Sequence, residues 1–241
     1  MKRLTFLLLL AIAGAAHAAV PDERCTAKVD VTGLPLVELP ARVASDRFAV
    51  MISGDGGWRR IDTKVTDKLR AAGIPVVGLL ANDYFREERT PDDSGCALER
   101  VIRHYQVEWH KQKVILIGYS RGADVLPFMA SRLPSDLRAD VELIALLGLE
   151  PLVDFKVIPS WIFWRKTSGA PLYAVKPEIE KLRGQNILCV YGEREKDSLC
   201  HQLDASLVTK LREPGGHHFA GKYHDIAEAI LSEAAKRRPP V

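Results

Sequence analysis

The stretch Lys113-Val-Ile-Leu-Ile-Gly-Tyr-Ser-Arg-Gly-Ala-Asp124 decides the fold of this chain. Val114 to Ile117 are continuously apolar, as in a parallel strand buried on both faces, and Ala123 to Leu133 has the spacing of a helix. Between them lies Gly118-Tyr119-Ser120-Arg121-Gly122, a G-x-S-x-G sequence in a strand-to-helix turn. A serine on so sharp a turn is strained, and glycine two residues to either side lets strand and helix pass without Cβ clashes. The turn lifts the Ser120 hydroxyl clear of the sheet, which makes it the candidate nucleophile. It also leaves the Arg121 N–H at a helix start, an unpaired donor at the positive end of the dipole where an oxyanion would be stabilised.

Outward from that turn, the chain alternates strand and helix about every 30 residues, the rhythm of parallel βαβ units with right-handed crossovers. Upstream, Arg47 to Ser53 reads as a strand, Asp62 to Ala72 as a helix ended by Gly73, Ile74 to Leu80 as a strand and Cys96 to His110 as a helix. Ala27 to Leu39, broken at Gly33-Leu-Pro35, suggests a short antiparallel pair at the sheet edge. Downstream, strands are expected over Val141–Leu149, Asn186–Tyr191 and Ala205–Glu213, with a closing helix over Tyr223–Lys236. The rhythm stops between Glu150 and Arg183. That segment holds Trp161, Phe163, Trp164 and Tyr173 among four prolines and suggests either a cap over the carboxyl ends of the strands or a loop with its own small core. The expected fold is α/β, a mostly parallel sheet with helices on both faces and a cap-like insert at 150–183.

A serine hydroxyl is a poor nucleophile, so it needs a base within hydrogen-bond reach and a third group to orient that base. In α/β-hydrolases the order along the chain is serine, acid, histidine. Gly192-Glu-Arg-Glu-Lys-Asp-Ser198 follows one late strand and Pro214-Gly-Gly-His-His-Phe219 the next, so both arrive in that order at strand ends. The first choice of acid is Asp197, with Glu195 in reserve. The first choice of base is His218, with His217 as alternate, while His201 and His224 read as surface residues. The second oxyanion donor belongs in Ser53-Gly-Asp-Gly-Gly-Trp58, where glycines let the backbone approach a reacting oxygen; the N–H of Asp55 or Gly56 is the candidate. The Asp55 carboxylate must then point away, pair with a cation such as Arg121, or meet a positive group on the substrate.

With 241 residues and 47% hydrophobic content, the chain suffices for one α/β domain with a sizeable core. Met1-Lys-Arg, the apolar run Leu4 to Ala13 and Ala16-His-Ala18 have the form of a secretory signal peptide over residues 1–18, with a mature domain over 19–241. Removing Lys2 and Arg3 from the 34 basic residues leaves 32 against 31 acidic ones, which gives no electrostatic footprint for nucleic acid. The expected location is the periplasm. Four cysteines, Cys25, Cys96, Cys189 and Cys200, allow three connectivities; joining Cys189 to Cys200 would brace the loop after a predicted strand. No pair has metal-ligand spacing, and no metal or cofactor is expected.

The runs Ser53-Gly-Asp-Gly-Gly-Trp58, Arg89-Thr-Pro91, Gly118-Tyr-Ser-Arg-Gly-Ala-Asp124, Tyr191-Gly192 with Asp197-Ser-Leu-Cys200, and Pro214-Gly-Gly-His-His-Phe219 together resemble the bacterial VirJ/AcvB virulence-protein family. The likeness extends from about Phe48 to the closing helix. It implies an α/β-hydrolase fold, a periplasmic location, an association with virulence and type IV secretion, and, for the AcvB branch, hydrolysis of lysyl-phosphatidylglycerol. On that reading Ser120 attacks the aminoacyl carbonyl, Asp55, Asp124 or the Glu150 edge holds the substrate ammonium, Trp58 contacts substrate, and the aromatic insert faces a membrane surface. A broader esterase or thioesterase on the same residues, and a binding protein that holds a secretion partner without turnover, are the alternatives.

Overall fold

The computed structural model describes residue 25 and residues 30–42, 45–158 and 168–236. The signal-peptide reading of residues 1–18, the 27–29 part of the expected edge pair, and Trp161, Phe163 and Trp164 lie outside the described residues. In chain order the first half runs β1 (Leu36–Leu39), β2 (Arg47–Ile52), α1 (Arg60–Ala71), β3 (Val76–Leu79), α2 (Ala81–Tyr84), α3 (Pro91–Glu108), β4 (Lys113–Tyr119) and α4 (Arg121–Ser131). The second half runs α5 (Ser135–Asp140), β5 (Val141–Leu147), β6 (Leu152–Val153), β7 (Tyr173–Ala174), α6 (Lys176–Lys181), β8 (Ile187–Gly192), β9 (Thr209–Glu213) and α7 (Tyr223–Ala235). The main sheet has the order β1-β3-β2-β4-β5-β8-β9, all parallel except β1, which runs antiparallel to β3 at the edge. The sequence suggests that the N-terminal segment pairs with itself; instead β1 adds to β3, whose edge groups would otherwise be unpaired.

Alternation along the strands divides the core in two. Phe48, Val50, Ile52, Val114 and Leu116 face one layer with α3 and α4, whereas Ala49, Met51, Ile115 and Ile117 face the other with α1 and α7. These strands read as unbroken apolar runs because helices cover each face. The helix α3 begins at Pro91 rather than at the expected Cys96. Thr90 accepts from the Asp93 N–H at 3.0 Å, Asp93 reaches back to the Thr90 N–H at 3.1 Å, and Pro91 stands at the first helical position.

Between β3 and α3 the chain forms the short helix α2 before the turn into Thr90. In the insert, β6 and β7 form a small antiparallel pair, and α6 leads back to the sheet. Tyr173 packs edge-on to Phe128 and Phe155, so this end of the insert leans on the main core. Two disulfides are present: Cys189–Cys200, the pairing that braces the loop after β8, and Cys25–Cys96, which ties the N-terminal segment to α3. Among the described residues no helix is long and apolar enough to cross a membrane.

Candidate active site

Ser120 sits between β4 and α4 with φ +54° and ψ −125°, a positive-φ conformation that costs about 1–3 kcal/mol in a non-glycine residue. Neighbouring bonds hold it there: its N–H donates to the Leu147 carbonyl at 2.9 Å, and its carbonyl accepts from Ala123 at 2.7 Å and Asp124 at 3.1 Å. The flanking glycines act by close approach. A Cβ on Gly118 would lie 2.3 Å from the Gly122 carbonyl oxygen, and one on Gly122 would lie 2.1 Å from that of Ile52.

The side chains brought to Ser120 are the two alternates from the sequence. His217 Nε2 is 2.9 Å from Ser120 Oγ, and His217 Nδ1 is 2.6 Å from Glu195 Oε1. His218, the expected base, turns the other way and places Nδ1 2.9 Å from the Tyr119 hydroxyl. His217 fits because Gly148, at φ +72°, leaves its side open; a Cβ there would stand 2.7 Å from the imidazole. Asp197, the expected acid, is exposed and lies beyond the turn that aims Glu195 inward. That turn is fixed by the Glu195 N–H donating to the Gly192 carbonyl at 2.9 Å and by the Gly192 N–H donating to Glu195 Oε2 at 2.6 Å. Glu195 therefore has one oxygen tied to backbone and one for His217.

The pair polarises itself. The Glu195 hydrogen bond raises the His217 pKa above its usual value against the opposing effect of burial, with the charges of Glu195, Glu150 and Asp55 adding to the rise. Burial alone would raise the Glu195 carboxyl, but its bonds to His217 and Gly192 and the nearby His217 and His201 outweigh burial and hold it below the usual range.

Of the oxyanion candidates, Arg121 opens α4, and its N–H is one of the amides at a helix start without an intrahelical acceptor. In the facing loop Gly54 abuts the nucleophile, its ideal Cβ falling 3.2 Å from Ser120 Cβ, while Gly56 borders the Arg59 side chain. Asp55 lies between them with its side chain 59% exposed. Ser53 anchors the loop from below by accepting from the Ala81 N–H at 3.0 Å.

Two expected substrate contacts fall elsewhere. Trp58 lays its ring over Gly78 of β3, where a Cβ would clash at 2.2 Å, so it is a packing residue that requires that glycine. Asp124 is buried and accepts the Glu150 N–H at 2.7 Å. Burial raises its pKa well above the usual carboxylate range, with Glu150 and Asp55 contributing and the Glu150 N–H and Arg121 opposing, so it is no exposed anchor for an ammonium. The expected pairing of Asp55 with Arg121 is loose, 4.0 Å from Oδ2 to Nη2. The guanidinium is engaged by Asp154 of the insert, Nη1 donating to Oδ1 and to the main-chain carbonyl, each at 2.7 Å. Sequence reasoning misses Gly148, Tyr119 and Asp154. Gly148 is the most legible of the three, since a glycine closing a predicted strand marks close approach by another group.

A family model described as "Bacterial virulence protein (VirJ)" matches residues 46–238. No curated protein matches the chain. Among solved structures, the chain is similar to Est1E from Butyrivibrio proteoclasticus (TM-score 0.60, 12% identity, 86% of this chain and 98% of that one). It is also similar to MenH from S. aureus (TM-score 0.61, 13% identity, 83% and 99%). A third likeness is to XC6422 from Xanthomonas campestris, described as an a/b serine hydrolase without lid (TM-score 0.51, 15% identity, 86% and 90%). At these identities the likeness shows the fold, that of the α/β-hydrolases.

Proposed function

Because the chain belongs to the VirJ family of bacterial virulence proteins and carries a serine, a histidine and a glutamate in hydrogen-bonded series, we propose that it is a serine hydrolase acting on an ester bond. The observation that carries this reading is the continuous path from Ser120 Oγ through His217 to Glu195 on a strained elbow. Ser120 Oγ attacks the ester carbonyl and passes its proton to His217 Nε2, and Glu195 stabilises the imidazolium. The developing oxyanion is received by the Arg121 N–H and an N–H of the 54–56 loop. The alcohol leaves with the proton from His217; water then attacks the acyl-serine with His217 as base, releasing the acid and restoring Ser120.

Within that reaction class the favoured substrate is an aminoacyl ester such as lysyl-phosphatidylglycerol, cleaved to lysine and phosphatidylglycerol. The electrostatics support a cationic acyl group: Asp55 and Glu150 both act on His217, and Arg121 is neutralised by Asp154. A periplasmic location is supported by the two disulfides and the signal-like N-terminus. An association with the membrane surface and with type IV secretion components belongs to the same reading.

Labelling with a fluorophosphonate tests the chemistry. Wild type should be labelled and Ser120→Ala should not; folded wild type that resists the probe and releases no lysine from lysyl-phosphatidylglycerol vesicles would overturn the hydrolase reading and leave a binding role. Labelling with turnover only of neutral esters would instead leave a general esterase.

A further inference from the structure

We infer that Asp154 is a positioning residue that sets the charge preference of the site, by holding the Arg121 guanidinium away from Asp55 and so leaving Asp55 open to a cationic substrate. The inference rests on the hydrolase reading above and names what makes its cation selectivity possible. Arg121 follows the nucleophile directly, and its guanidinium lies between two carboxylates. One is Asp154, from the insert, whose side chain is 13% exposed; the other is Asp55, 59% exposed. The contacts are unequal: 2.7 Å to Asp154 Oδ1 with a second bond to its carbonyl, against 4.0 Å to Asp55. A carboxylate bonded to a guanidinium is largely neutralised for any other cation, so which acid holds Arg121 decides which one remains available.

Asp154 is itself held in place. Its Oδ2 accepts from the Ser168 hydroxyl, and Ser168 in turn accepts the Ala170 N–H at 3.1 Å. Next to it, Arg89 donates its N–H to the Phe155 carbonyl at 3.0 Å and Val157 donates to the Phe85 carbonyl at 2.7 Å. The Asp154 carboxylate is therefore delivered to Arg121 by anchored backbone. Removing its charge would leave a largely buried guanidinium whose nearest remaining carboxylate is Asp55. Asp55 would then be engaged by Arg121 rather than by substrate.

The test uses two esters of one alcohol that differ only in charge, 6-aminohexanoyl and heptanoyl, with kcat and KM measured for wild type, Asp154→Asn, Asp55→Asn and the double variant. Wild type should prefer the cationic ester. Asp154→Asn should lose about tenfold of that preference, chiefly through KM of the cationic ester, with the heptanoyl ester little changed, because one charge-assisted contact is at stake. In the Asp55→Asn background the same substitution should have no further effect on the ratio, the non-additivity expected of residues acting through one guanidinium. Asp154→Ser serves if Asp154→Asn does not fold. An unchanged ratio in a folded Asp154 variant, or equal losses on both esters, overturns the inference while leaving the hydrolase intact. A wild type without cation preference also overturns it, and a wild type that cleaves neither ester overturns the hydrolase reading beneath it.

Discussion

Replacing Glu195 by glutamine changes one atom, and the structure fixes which way the new amide must face. Glu195 Oε2 accepts the Gly192 N–H at 2.6 Å, so in Glu195→Gln the amide oxygen must stay at that position and the NH2 must point at His217 Nδ1. An NH2 group cannot accept from Nδ1–H. The imidazole is driven to the tautomer with the proton on Nε2, which can no longer take the proton from Ser120. The loss in kcat should be about 10³–10⁴-fold, the size found when a triad acid is neutralised without disturbing geometry. The pH profile gives a second reading. In wild type, kcat/KM should rise with pH as His217 loses its proton, with an apparent pKa above the ordinary histidine value because Glu195 raises it. In the residual activity of Glu195→Gln that limb should move to lower pH. Stopped-flow turnover of a chromogenic ester across the histidine titration range, with Asp197→Asn as the parallel variant, reads both effects. Near wild-type turnover in Glu195→Gln together with a large loss in Asp197→Asn would refute the assignment of the acid.

His217→Ala should lose about as much turnover as Ser120→Ala, since the two act as a unit, whereas His218→Ala should lose far less; rates of fluorophosphonate labelling rank them directly. Gly148→Ala places a methyl against the His217 ring at a position with positive φ, so it should cut kcat severely, and a crystal structure should show the imidazole displaced. Replacing both Cys189 and Cys200 by alanine removes a short loop closure that brackets Glu195 and should lower stability by about 3 kcal/mol in urea titration. Asp62 is buried, and burial lifts its carboxyl to about 6 against the lowering effect of the Arg59 N–H that it accepts at 2.7 Å. A carboxyl pKa raised above its unfolded value favours the folded state at low pH, and that advantage is lost as pH rises from the unfolded value through about 6. The melting temperature of Asp62→Asn relative to wild type should therefore climb across that window, and a flat difference would count against a buried charge.

The parts of this fold that the sequence discloses are those governed by local rules. A strand covered on both faces must be apolar throughout, and a nucleophile turn must have glycine where chains cross, so β4, α4 and Ser120 are legible within one short stretch. The choice between His217 and His218 is different in kind. Adjacent side chains on a turn point in different directions, and which one meets Ser120 depends on Gly148 and Tyr119, distant residues that accommodate one ring and bond the other. The same holds for Glu195 over Asp197: the deciding contact is a backbone N–H of Gly192, which no residue type announces. Trp58 misleads because a tryptophan beside a glycine-rich loop suggests a ligand, whereas its partner Gly78 lies on the neighbouring strand. Chemistry of this kind is encoded in pairs of positions. A glycine opposite a large side chain is the recurring form here, at Gly148 with His217 and at Gly78 with Trp58. Each pair predicts that restoring the missing Cβ on the glycine disturbs its distant partner more than its own neighbours.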